Sequence, residues 1–412
     1  MKHLVLIGGG HSHAIVLKMF GIKPLPGVRL TLISDVLHAP YSGMLPGHVA
    51  GFYDYDECHI DLRSLAEFAG CQILIDRAIA IDLNKTLVIC QTFPPVNFDV
   101  LSVDIGSTPA TLSVPGAAKY AIAAKPVPEF LASWNQLISE RQNSLQKPLR
   151  IAIVGGGAGG VELALNMQSR LGKSDGSRPR EENLENSSSE IHLFHSGAEL
   201  MPGHNKRVRR RLKEILISRG IKLHLMEKVS AIEKPETSDI EDNQECPMPN
   251  AQCPMPNAKI SCKSGLELEC EIIFWVTQAS AANWIRESGL AADSNGFMQV
   301  NDCLQSVSHP NVFGAGDIAA MVNYPRPKAG VFAVRQGKPL FDNLQQFLLE
   351  KPLKPFAPQE QYLGLIGTGN KRAIASRGSF MWESGLLWYW KDWIDRQFMQ
   401  KFSNLPKTRN TK

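Results

Sequence analysis

Two segments of this chain share one pattern, in which an apolar run leads into a glycine triplet and a second apolar run follows. They are residues 3–16, HLVLIGGGHSHAIV, and residues 150–164, RIAIVGGGAGGVELA. Glycines after a strand permit a tight turn and let a phosphate approach the backbone at the N-terminus of the next helix. The repeated pattern predicts an α/β fold in which parallel sheets form two similar nucleotide-binding halves.

The second turn fits the dinucleotide fingerprint G-x-G-x-x-G in full. Gly155, Gly157 and Gly160 occupy its three glycine positions. The first allows the turn, the second lets the backbone approach a pyrophosphate, and the third lets the helix pack closely on the strand. The strand before it and the apolar helix after it strengthen this interpretation.

The first turn departs from the fingerprint. Gly8 and Gly10 fit, but His13 stands where the third glycine is expected. A zinc site at His11 and His13 is disfavoured, because zinc takes about four ligands and no cluster of cysteines or carboxylates accompanies them. We expect an altered cofactor site in which His11, Ser12 and His13 wrap a pyrophosphate. The helix would then lie further from the strand, or the turn would be reshaped.

A third motif lies late in the chain, in HPNVFGAGDIA at residues 309–319. Its strand runs into Gly316 and Asp317, which places a carboxylate at the end of a strand where it can hold a ribitol hydroxyl of a flavin. In the first half, the second apolar strand ends at Ser34 and Asp35 follows directly. Those two residues stand where an acid that binds a ribose is expected.

The second half lacks a ribose-binding acid at the matching position, because its second strand ends at His195. Glu199 follows, and three arginines lie further on, namely Arg207, Arg209 and Arg210. Arginines in place of the acid would admit the 2′-phosphate of NADPH, but arginines more often form the solvated face of a helix. The sequence leaves NADH and NADPH open.

The order of these motifs, with DVLSVDIGSTP at 99–109 and FWVTQAS at 274–280, resembles the flavoproteins with two dinucleotide-binding domains. That superfamily of pyridine nucleotide-disulfide oxidoreductases includes sulfide:quinone reductase and type II NADH dehydrogenase. The resemblance implies that Glu162 faces the nicotinamide or the flavin. It also assigns glycines and one carboxylate to cofactors: Gly8, Gly10, Gly106, Gly316 and Asp317 to FAD, and Gly155, Gly157 and Gly160 to NAD(P)H.

A second resemblance runs nearly end to end. PYSGMLPGHVAGFY, HIDLRSLAEFAG and PRPKAGVFAVRQG are similar to the flavoprotein module that some bacteria carry fused to selenide, water dikinase. A His-Ser-His-like turn is also found in that module. This resemblance implies a role for Lys125 near the flavin. The kinase half is absent, so selenophosphate synthesis is not implied.

The domain order follows from the motifs. We expect residues 1–115 and 271–345 to form a discontinuous FAD-binding domain, and residues 116–270 to form the NAD(P)H-binding domain, each with a three-layer Rossmann-like architecture. Residues 346–412 would form a small C-terminal region. Two polar or proline-rich insertions, 172–190 and 234–258, are predicted to be mobile surface loops.

The acceptor is less well determined than the donor. The segment SDVLHAPYSGMLPGHV has no cysteine, so a dithiol relay like that of the disulfide reductases is not expected, and the remaining cysteines are isolated in sequence. Type II NADH dehydrogenases carry A-Q-x-x-x-Q near the quinone, whereas Val331 and Arg335 stand at the matching glutamine positions here. Lys328 and Arg335 would instead place cations beside the flavin.

The predicted function is therefore an FAD-dependent NAD(P)H dehydrogenase. It passes a hydride from NAD(P)H to the flavin and electrons on to a small-molecule acceptor, with a quinone as the first expectation. A sulfide- or selenium-linked flavin oxidoreductase is an alternative. Another is a redox-responsive flavoprotein with slow turnover that acts mainly by binding a partner. No metal site is predicted.

Charge and hydropathy exclude several other classes. A net charge of +4 on 412 residues does not indicate a nucleic-acid partner. No uninterrupted apolar run is long enough to span a bilayer, and the first residues do not resemble a signal peptide. The eight scattered cysteines suit a reducing compartment. We expect a cytoplasmic location, free or peripheral on the inner face of the membrane.

The C-terminal region predicts one amphipathic helix. Four of the seven tryptophans fall within WESGLLWYWKDW, residues 382–393. Apolar residues recur every four positions along 386–402: Leu386, Trp390, Ile394, Phe398 and Phe402, with Trp393 beside them. This stripe must face the core, a second subunit of a homodimer, or a membrane interface contacted through residues 379–402. Nearby acidic residues offset the basic ones, so binding to anionic lipid would gain little from charge.

Overall fold

The structure, a computed structural model, describes residues 1–109, 114–143, 149–172, 189–234, 257–277 and 279–406. Strands and mostly short helices alternate in the first part of the chain. In order, they are β1 (Lys2–Ile7), α1 (His11–Ile22), β2 (Val28–Ser34), β3 (His38–Pro40), α2 (Leu45–Val49), a 3-10 helix (Asp56–Cys58), β4 (His59–Asp61), α3 (Leu62–Ala69), β5 (Gln72–Ile75), β6 (Ala78–Asp82), β7 (Leu87–Cys90), β8 (Val96–Asn97), β9 (Val100–Val103) and β10 (Thr108–Pro109).

The middle of the chain carries longer helices between its strands. Its elements are α4 (Ala117–Tyr120), β11 (Ile122–Ala123), α5 (Val127–Asn143), β12 (Leu149–Val154), α6 (Ala158–Leu171), β13 (Ser189–His195), α7 (Lys206–Ser218), β14 (Lys222–Leu225), β15 (Val229–Glu233), β16 (Ala258–Cys262), β17 (Glu267–Cys270) and β18 (Ile272–Trp275).

The last part of the chain returns to the first sheet and then forms the C-terminal region. Its elements are β19 (Ala279–Ser280), α8 (Trp284–Glu287), β20 (Met298–Val300), β21 (Val312–Gly314), a second 3-10 helix (Gly316–Ile318), β22 (Ala319–Met321), α9 (Gly330–Leu348), β23 (Gly364–Gly367), β24 (Ala373–Arg377), β25 (Phe380–Ser384) and α10 (Gly385–Ser403).

Two five-stranded parallel sheets organise these elements, and the strand at the centre of each leads into a glycine turn. The first sheet has the order β21-β9-β1-β2-β5, and the second has the order β11-β18-β12-β13-β14. Apolar side chains of β1 and β12 are almost fully buried, as is typical of parallel strands covered on both faces. The predicted α/β class with two Rossmann-like halves is confirmed.

The first sheet is discontinuous in sequence. Strand β21 pairs with β9 in parallel register, although the whole second sheet lies between them in the chain. This arrangement agrees with the expected order of domains, whose boundaries at 115, 270 and 345 stay predictions. Most of the two predicted insertions, residues 173–188 and 235–256, lies outside the described residues.

The C-terminal region consists of an antiparallel three-stranded sheet, β23-β24-β25, followed by helix α10. The predicted helix is confirmed, but the predicted apolar stripe does not share one environment. Leu386 and Trp390 are 71% and 45% exposed, whereas Phe398 and Phe402 are buried. Residues four apart on an α-helix drift by about 40° per step, so a long stripe at that spacing rotates from one face to another. In the described part of the chain, no helix has the length and apolar character to cross a membrane.

Candidate active site

The first glycine turn presses against the end of β9. Gly8 has a φ of +92°, and a Cβ there would collide with the carbonyl oxygen of Asp104. A Cβ at Gly10 would collide with the carboxylate of Asp104, and one at Gly316 with its Oδ1. Gly10 and Gly316, from distant parts of the chain, therefore lie against one carboxylate, and Gly8 lies against the backbone of the same residue. At these glycines no side chain keeps a phosphate from the backbone, as its close approach requires.

His13 has a packing role at the third position of the turn. Its Nδ1 donates to the carbonyl oxygen of Gly8 at 2.7 Å, and its Nε2 accepts from Ser102 Oγ at 2.8 Å. Burial lowers the pKa of His13 to about 4, so the ring is neutral. In the second turn a Cβ at Gly160 would collide with the carbonyl oxygen of Gly155. A hydrogen bond from the imidazole to Gly8 thus replaces the close approach of Gly160 to the carbonyl oxygen of Gly155. Both ring nitrogens of His13 have protein partners, so neither is free for a metal.

His11 and Ser12 open helix α1. The Oγ of Ser12 donates to the carbonyl oxygen of Ala333 at 2.7 Å, which ties α1 to α9. The Nε2 of His11 is buried and has no hydrogen-bond partner among the described residues, and burial lowers the pKa of this ring to about 4. Its ring packs edge-on against Tyr41 and Phe398. A buried nitrogen without a protein partner fits a site that a polar cofactor completes.

The Gly316–Asp317 motif forms an ion pair with Lys125. Lys125 Nζ lies 2.9 Å from Asp317 Oδ2 and 3.0 Å from Ser107 Oγ, and Ser107 donates to the same carboxylate at 3.1 Å. Although burial works against ionisation, the Lys125 ammonium keeps the pKa of Asp317 below its usual value. Gly106, with a φ of +72°, brings Ser107 to this position. The ionised carboxylate can accept hydrogen bonds from hydroxyl groups.

A cavity of about 600 Å³ lies beside this motif. Asp317, Lys328, Phe332 and Gln336 line it. Lys328 Nζ donates to the carbonyl oxygen of Ala319 at 2.7 Å, and burial lowers the pKa of this lysine. Lys328 therefore brings its amino group to the cavity, and its place beside the flavin stays a prediction.

Arg335 does not join Lys328 there. Its side chain is exposed on α9, whereas Gln336 is buried and its Oε1 accepts from the N–H of Gly316 at 2.7 Å. Phe332 and Gln336 are four residues apart and share the face of α9 that meets the cavity, while Arg335 is rotated by about 100° from Gln336. Arg335 is therefore not among the residues that line this cavity, its place beside the flavin stays a prediction, and Gln336 was missed.

The second turn positions Glu162 on helix α6. Gly157 precedes the helix as its N-cap, and Gly155 has a φ of +132° against the end of β18. The Oε1 of Glu162 accepts from the N–H of Gly367 at 2.7 Å. Burial raises the pKa of Glu162 to about 7, while the charge of Lys391 on α10 opposes this rise. The carboxyl therefore holds or releases a proton near neutral pH.

The residues at the predicted ribose positions are placed differently in each half. Ser34 is buried and its Oγ donates to the carbonyl oxygen of Val36, while Asp35 is exposed and pairs with Arg77 at 3.3 Å. In the second half, Arg209 forms an ion pair with Glu199. A paired arginine and a paired acid favour neither nucleotide, so NADH and NADPH stay open.

The described cysteines do not form a redox pair. Cys58, Cys71, Cys262 and Cys270 are buried free thiols, and burial raises the pKa of each to between about 11 and about 12. A thiol with so high a pKa is a poor nucleophile at neutral pH. Among the described residues, no cluster of His, Cys, Asp and Glu could hold a metal ion.

Several site residues were not predicted from the sequence. Asp104 had a usable signal, because it follows a strand directly in the quoted segment DVLSVDIGSTP. Lys391 and Asp395 had none, because they reach Glu162 only through the position of α10. They form an ion pair at 2.6 Å, and Tyr41 donates to Asp395 at 3.1 Å.

The chain matches known proteins over most of its length. A profile of the family named Pyridine nucleotide-disulphide oxidoreductase matches residues 2–337. Ferroptosis suppressor protein 1 of Xenopus tropicalis is 24% identical over 86% of this chain and 83% of its own length. The NADH dehydrogenase-like protein YutJ of Bacillus subtilis is 21% identical over 95% of this chain and 99% of its own length.

Two further matches differ in extent. The demethylphylloquinone reductase NdbB of a Synechocystis strain is 24% identical, covering 53% of this chain and 46% of its own length. The structure of NDH2 from Plasmodium falciparum in complex with NADH has the same fold, with a TM-score of 0.76 at 14% identity, and the match covers 98% of this chain and 97% of that one.

Two glycine turns on parallel sheets, with a paired carboxylate after the edge strand β21 of the first sheet, define a flavin-dependent oxidoreductase that uses a nicotinamide nucleotide. The chain belongs to the Pyridine nucleotide-disulphide oxidoreductase family. Its cofactors are FAD and NAD(P)H, and the cradle of glycines and the unpartnered His11 fit the first of these.

Proposed function

We propose that this protein reduces a quinone with electrons from NAD(P)H. One observation carries the proposal: on Glu162, which follows the second glycine turn on helix α6, burial of the carboxyl raises the pKa to about 7, against the charge of Lys391. Reduction of a quinone to a quinol consumes two protons with two electrons, so a carboxyl that exchanges a proton near neutral pH suits this acceptor. The names of the relatives YutJ and NdbB, an NADH dehydrogenase-like protein and a quinone reductase, support it.

The residues of the chain would divide the work as follows. FAD, when bound, supplies the chemistry that accepts a hydride and passes electrons on. Gly8 and Gly10 would hold its pyrophosphate, and Asp317, kept ionised by Lys125, would orient its ribitol. Lys328 would place a positive charge beside the reacting end. Gly155, Gly157 and Gly160 would hold the pyrophosphate of NAD(P)H.

We also propose that helix α10 rests on a membrane interface, where quinones dissolve. Leu386, Trp390 and Trp393 form an exposed apolar face, with Trp393 59% exposed. The basic residues beside them are already paired, Lys391 with Asp395 and Arg396 with acidic neighbours. Burial of aromatic surface would therefore supply the binding energy. A homodimer that covers the same face is the competing arrangement.

Half-reaction kinetics test the proposed acceptor. The purified FAD-loaded protein is reduced anaerobically with NADH and separately with NADPH while flavin absorbance is followed. The reduced protein is then mixed with a short-chain quinone, with polysulfide or with dioxygen. We expect quinone to reoxidise the flavin at least about tenfold faster than the other two acceptors. Reduction of the flavin by sulfide alone, or reoxidation by quinone no faster than by dioxygen, would contradict the proposal.

A further inference from the structure

The carboxylate of Asp104 occupies the position of an anion at the N-terminus of α1. Its Oδ2 accepts from the N–H of His13 at 3.0 Å, and the N–H of Ser12 also donates to this carboxylate. Its own carbonyl oxygen accepts from the N–H of Gly10 at 3.2 Å. The free N–H groups of a helix N-terminus attract anions. A carboxylate of the protein therefore lies where the pyrophosphate of FAD is expected.

The second glycine turn provides an internal comparison. Val276 follows β18 as Asp104 follows β9, and the N–H of each donates at 2.8 Å to the last residue of the neighbouring central strand. A Cβ at Gly155 would collide with the carbonyl oxygen of Val276, just as one at Gly8 would collide with that of Asp104. The two turns are equivalent in backbone geometry, so the fold does not require a carboxylate at this position.

Asp104 is enclosed, being 2% exposed. The backbones of Gly10 and Gly316 lie directly against its carboxylate, so the side chain has no open path away from the helix. The carboxylate of Asp104 and the pyrophosphate of FAD, both negative, would then lie side by side when FAD binds. Because the carboxylate cannot turn away, neutralising it is the remaining way to relieve the repulsion.

The groups that face Asp104 do not supply a counter-charge. From α1 come His11 and His13, whose pKa values of about 4 leave them neutral. From the second 3-10 helix comes Asp317, which is itself negative and is paired with Lys125. β1 presents only its backbone to Asp104. From α9 comes Gln336, which is uncharged and accepts a hydrogen bond from Gly316. The charge of Lys328 lowers the pKa of Asp317. No ion pair to Asp104 is formed within the described residues.

We infer that Asp104 takes up one proton from solvent when FAD binds, so that binding of this cofactor is coupled to pH. The inference rests on the proposed placement of FAD at the first glycine turn. Burial raises the pKa of Asp104 to about 7 in the cofactor-free protein, and the charges of the pyrophosphate raise it further. A neutral carboxyl then remains as a hydrogen-bonding group beside the phosphate.

The sign of the pH dependence follows from this coupling. Below about pH 7 the cofactor-free protein already carries the proton, so the dissociation constant of FAD is nearly constant. Above about pH 7 each FAD that binds takes up a proton, so the dissociation constant rises by up to about tenfold per pH unit. The rise ends where the pH exceeds the pKa of Asp104 in the complex.

Titration of the cofactor-free full chain with FAD, followed by flavin fluorescence from about pH 6 to about pH 9, tests the inference. The wild-type chain should show the rise, whereas Asp104→Asn should bind with nearly constant affinity and should bind more tightly than the wild type at the highest pH. Asp104→Val, which copies the second turn, should also lose the rise. Asp99→Asn is the matched control, because Asp99 precedes β9 at its other end and accepts from the N–H of His3 at 2.6 Å; it should keep the rise.

A constant wild-type affinity over this range, or a rise that persists in Asp104→Asn, would overturn the inference. If both variants fail to fold, calorimetry of the wild-type chain at about pH 8 in two buffers of different ionisation enthalpy decides the question, with uptake of roughly one proton expected and uptake of none contradicting it. Absence of FAD binding at every pH would overturn the cofactor site itself, whereas pH-independent binding would overturn only the proton coupling.

Discussion

At the scale of single residues, one position in the two glycine turns is occupied in two different ways. Gly160 lets helix α6 approach the carbonyl oxygen of Gly155, and His13 instead donates a hydrogen bond to the carbonyl oxygen of Gly8. The fingerprint predicted the turn in both halves, because backbone geometry depends on the first two glycines. It could not show which way His13 points, since that depends on Ser102 of a strand far along the chain.

Gly160→Ala should damage the NAD(P)H site selectively. The new Cβ would collide with the carbonyl oxygen of Gly155, so α6 must shift away from the strand and from the nucleotide phosphates. We expect the KM for NAD(P)H to rise at least about tenfold, with FAD content unchanged, because the proposed FAD site is on the other sheet. Gly159→Ala is the control: its Cβ would meet Val276 Cγ1 at 3.4 Å, an ordinary contact, and KM should stay within about twofold. Equal effects of the two substitutions would contradict the assignment.

At the scale of elements, helix α10 shows what periodicity can and cannot predict. Its existence followed from apolar spacing, and its bounds of Gly385–Ser403 contain the predicted stripe. Which of its residues are buried did not follow from the spacing, because residues four apart rotate gradually around the helix and so lie on different faces. Leu387, Trp388 and Phe398 are buried against the protein, whereas Trp393 is exposed.

The exposed face of α10 should control binding to vesicles. We expect the double substitution Trp390→Ser and Trp393→Ser to lower partitioning onto phosphatidylcholine vesicles at least about tenfold, because burial of each large apolar side chain is worth about 1.5 to 3 kcal/mol. Added anionic lipid should change binding little, since Lys391 and Arg396 are already paired. Flotation of the full chain measures this. Deletion of α10 is unsuitable, because it would expose the apolar surface of the protein against which the buried face of α10 packs.

Phe93→Ser is the matched control for that experiment, because Phe93 is an exposed aromatic residue remote in sequence from α10. It should leave vesicle binding unchanged. If the protein floats equally well with and without the two tryptophans, the membrane proposal fails. A dimer that dissociates on the double substitution would assign the same face to a second subunit instead.

At the scale of the whole molecule, the site joins three parts of the chain. Glu162 lies on helix α6, which follows the central strand of the second sheet, Tyr41 lies in the first part of the chain, and Lys391 and Asp395 lie on the C-terminal helix. Each glycine turn and the Gly316–Asp317 motif is contiguous in sequence, so local patterns predicted them. The effect of the charges of α10 on the pKa of Glu162 depends on how separate elements pack, and no local pattern records it.

Substitution of Glu162 by Gln should slow the quinone half-reaction and change its pH dependence. The carboxyl can deliver a proton only when it is protonated, and above its pKa of about 7 the protonated fraction falls roughly tenfold per pH unit. Wild-type turnover with quinone should therefore decline as the pH rises through about 7. Glu162→Gln should lose this decline and lower turnover by about a hundredfold, the usual contribution of a positioned acid.

The two half-reactions separate this role from a structural one. Transfer of hydride from NAD(P)H to the flavin needs no proton from Glu162, so anaerobic flavin reduction should stay within about threefold of wild type in Glu162→Gln. Glu57→Gln is the control. Glu57 is another carboxylate near α10, but it forms an ion pair with Arg396 at 2.6 Å and not with Lys391. It should keep both the turnover and its pH profile. A loss of flavin reduction as large as the loss of quinone reduction would instead place Glu162 in nucleotide binding.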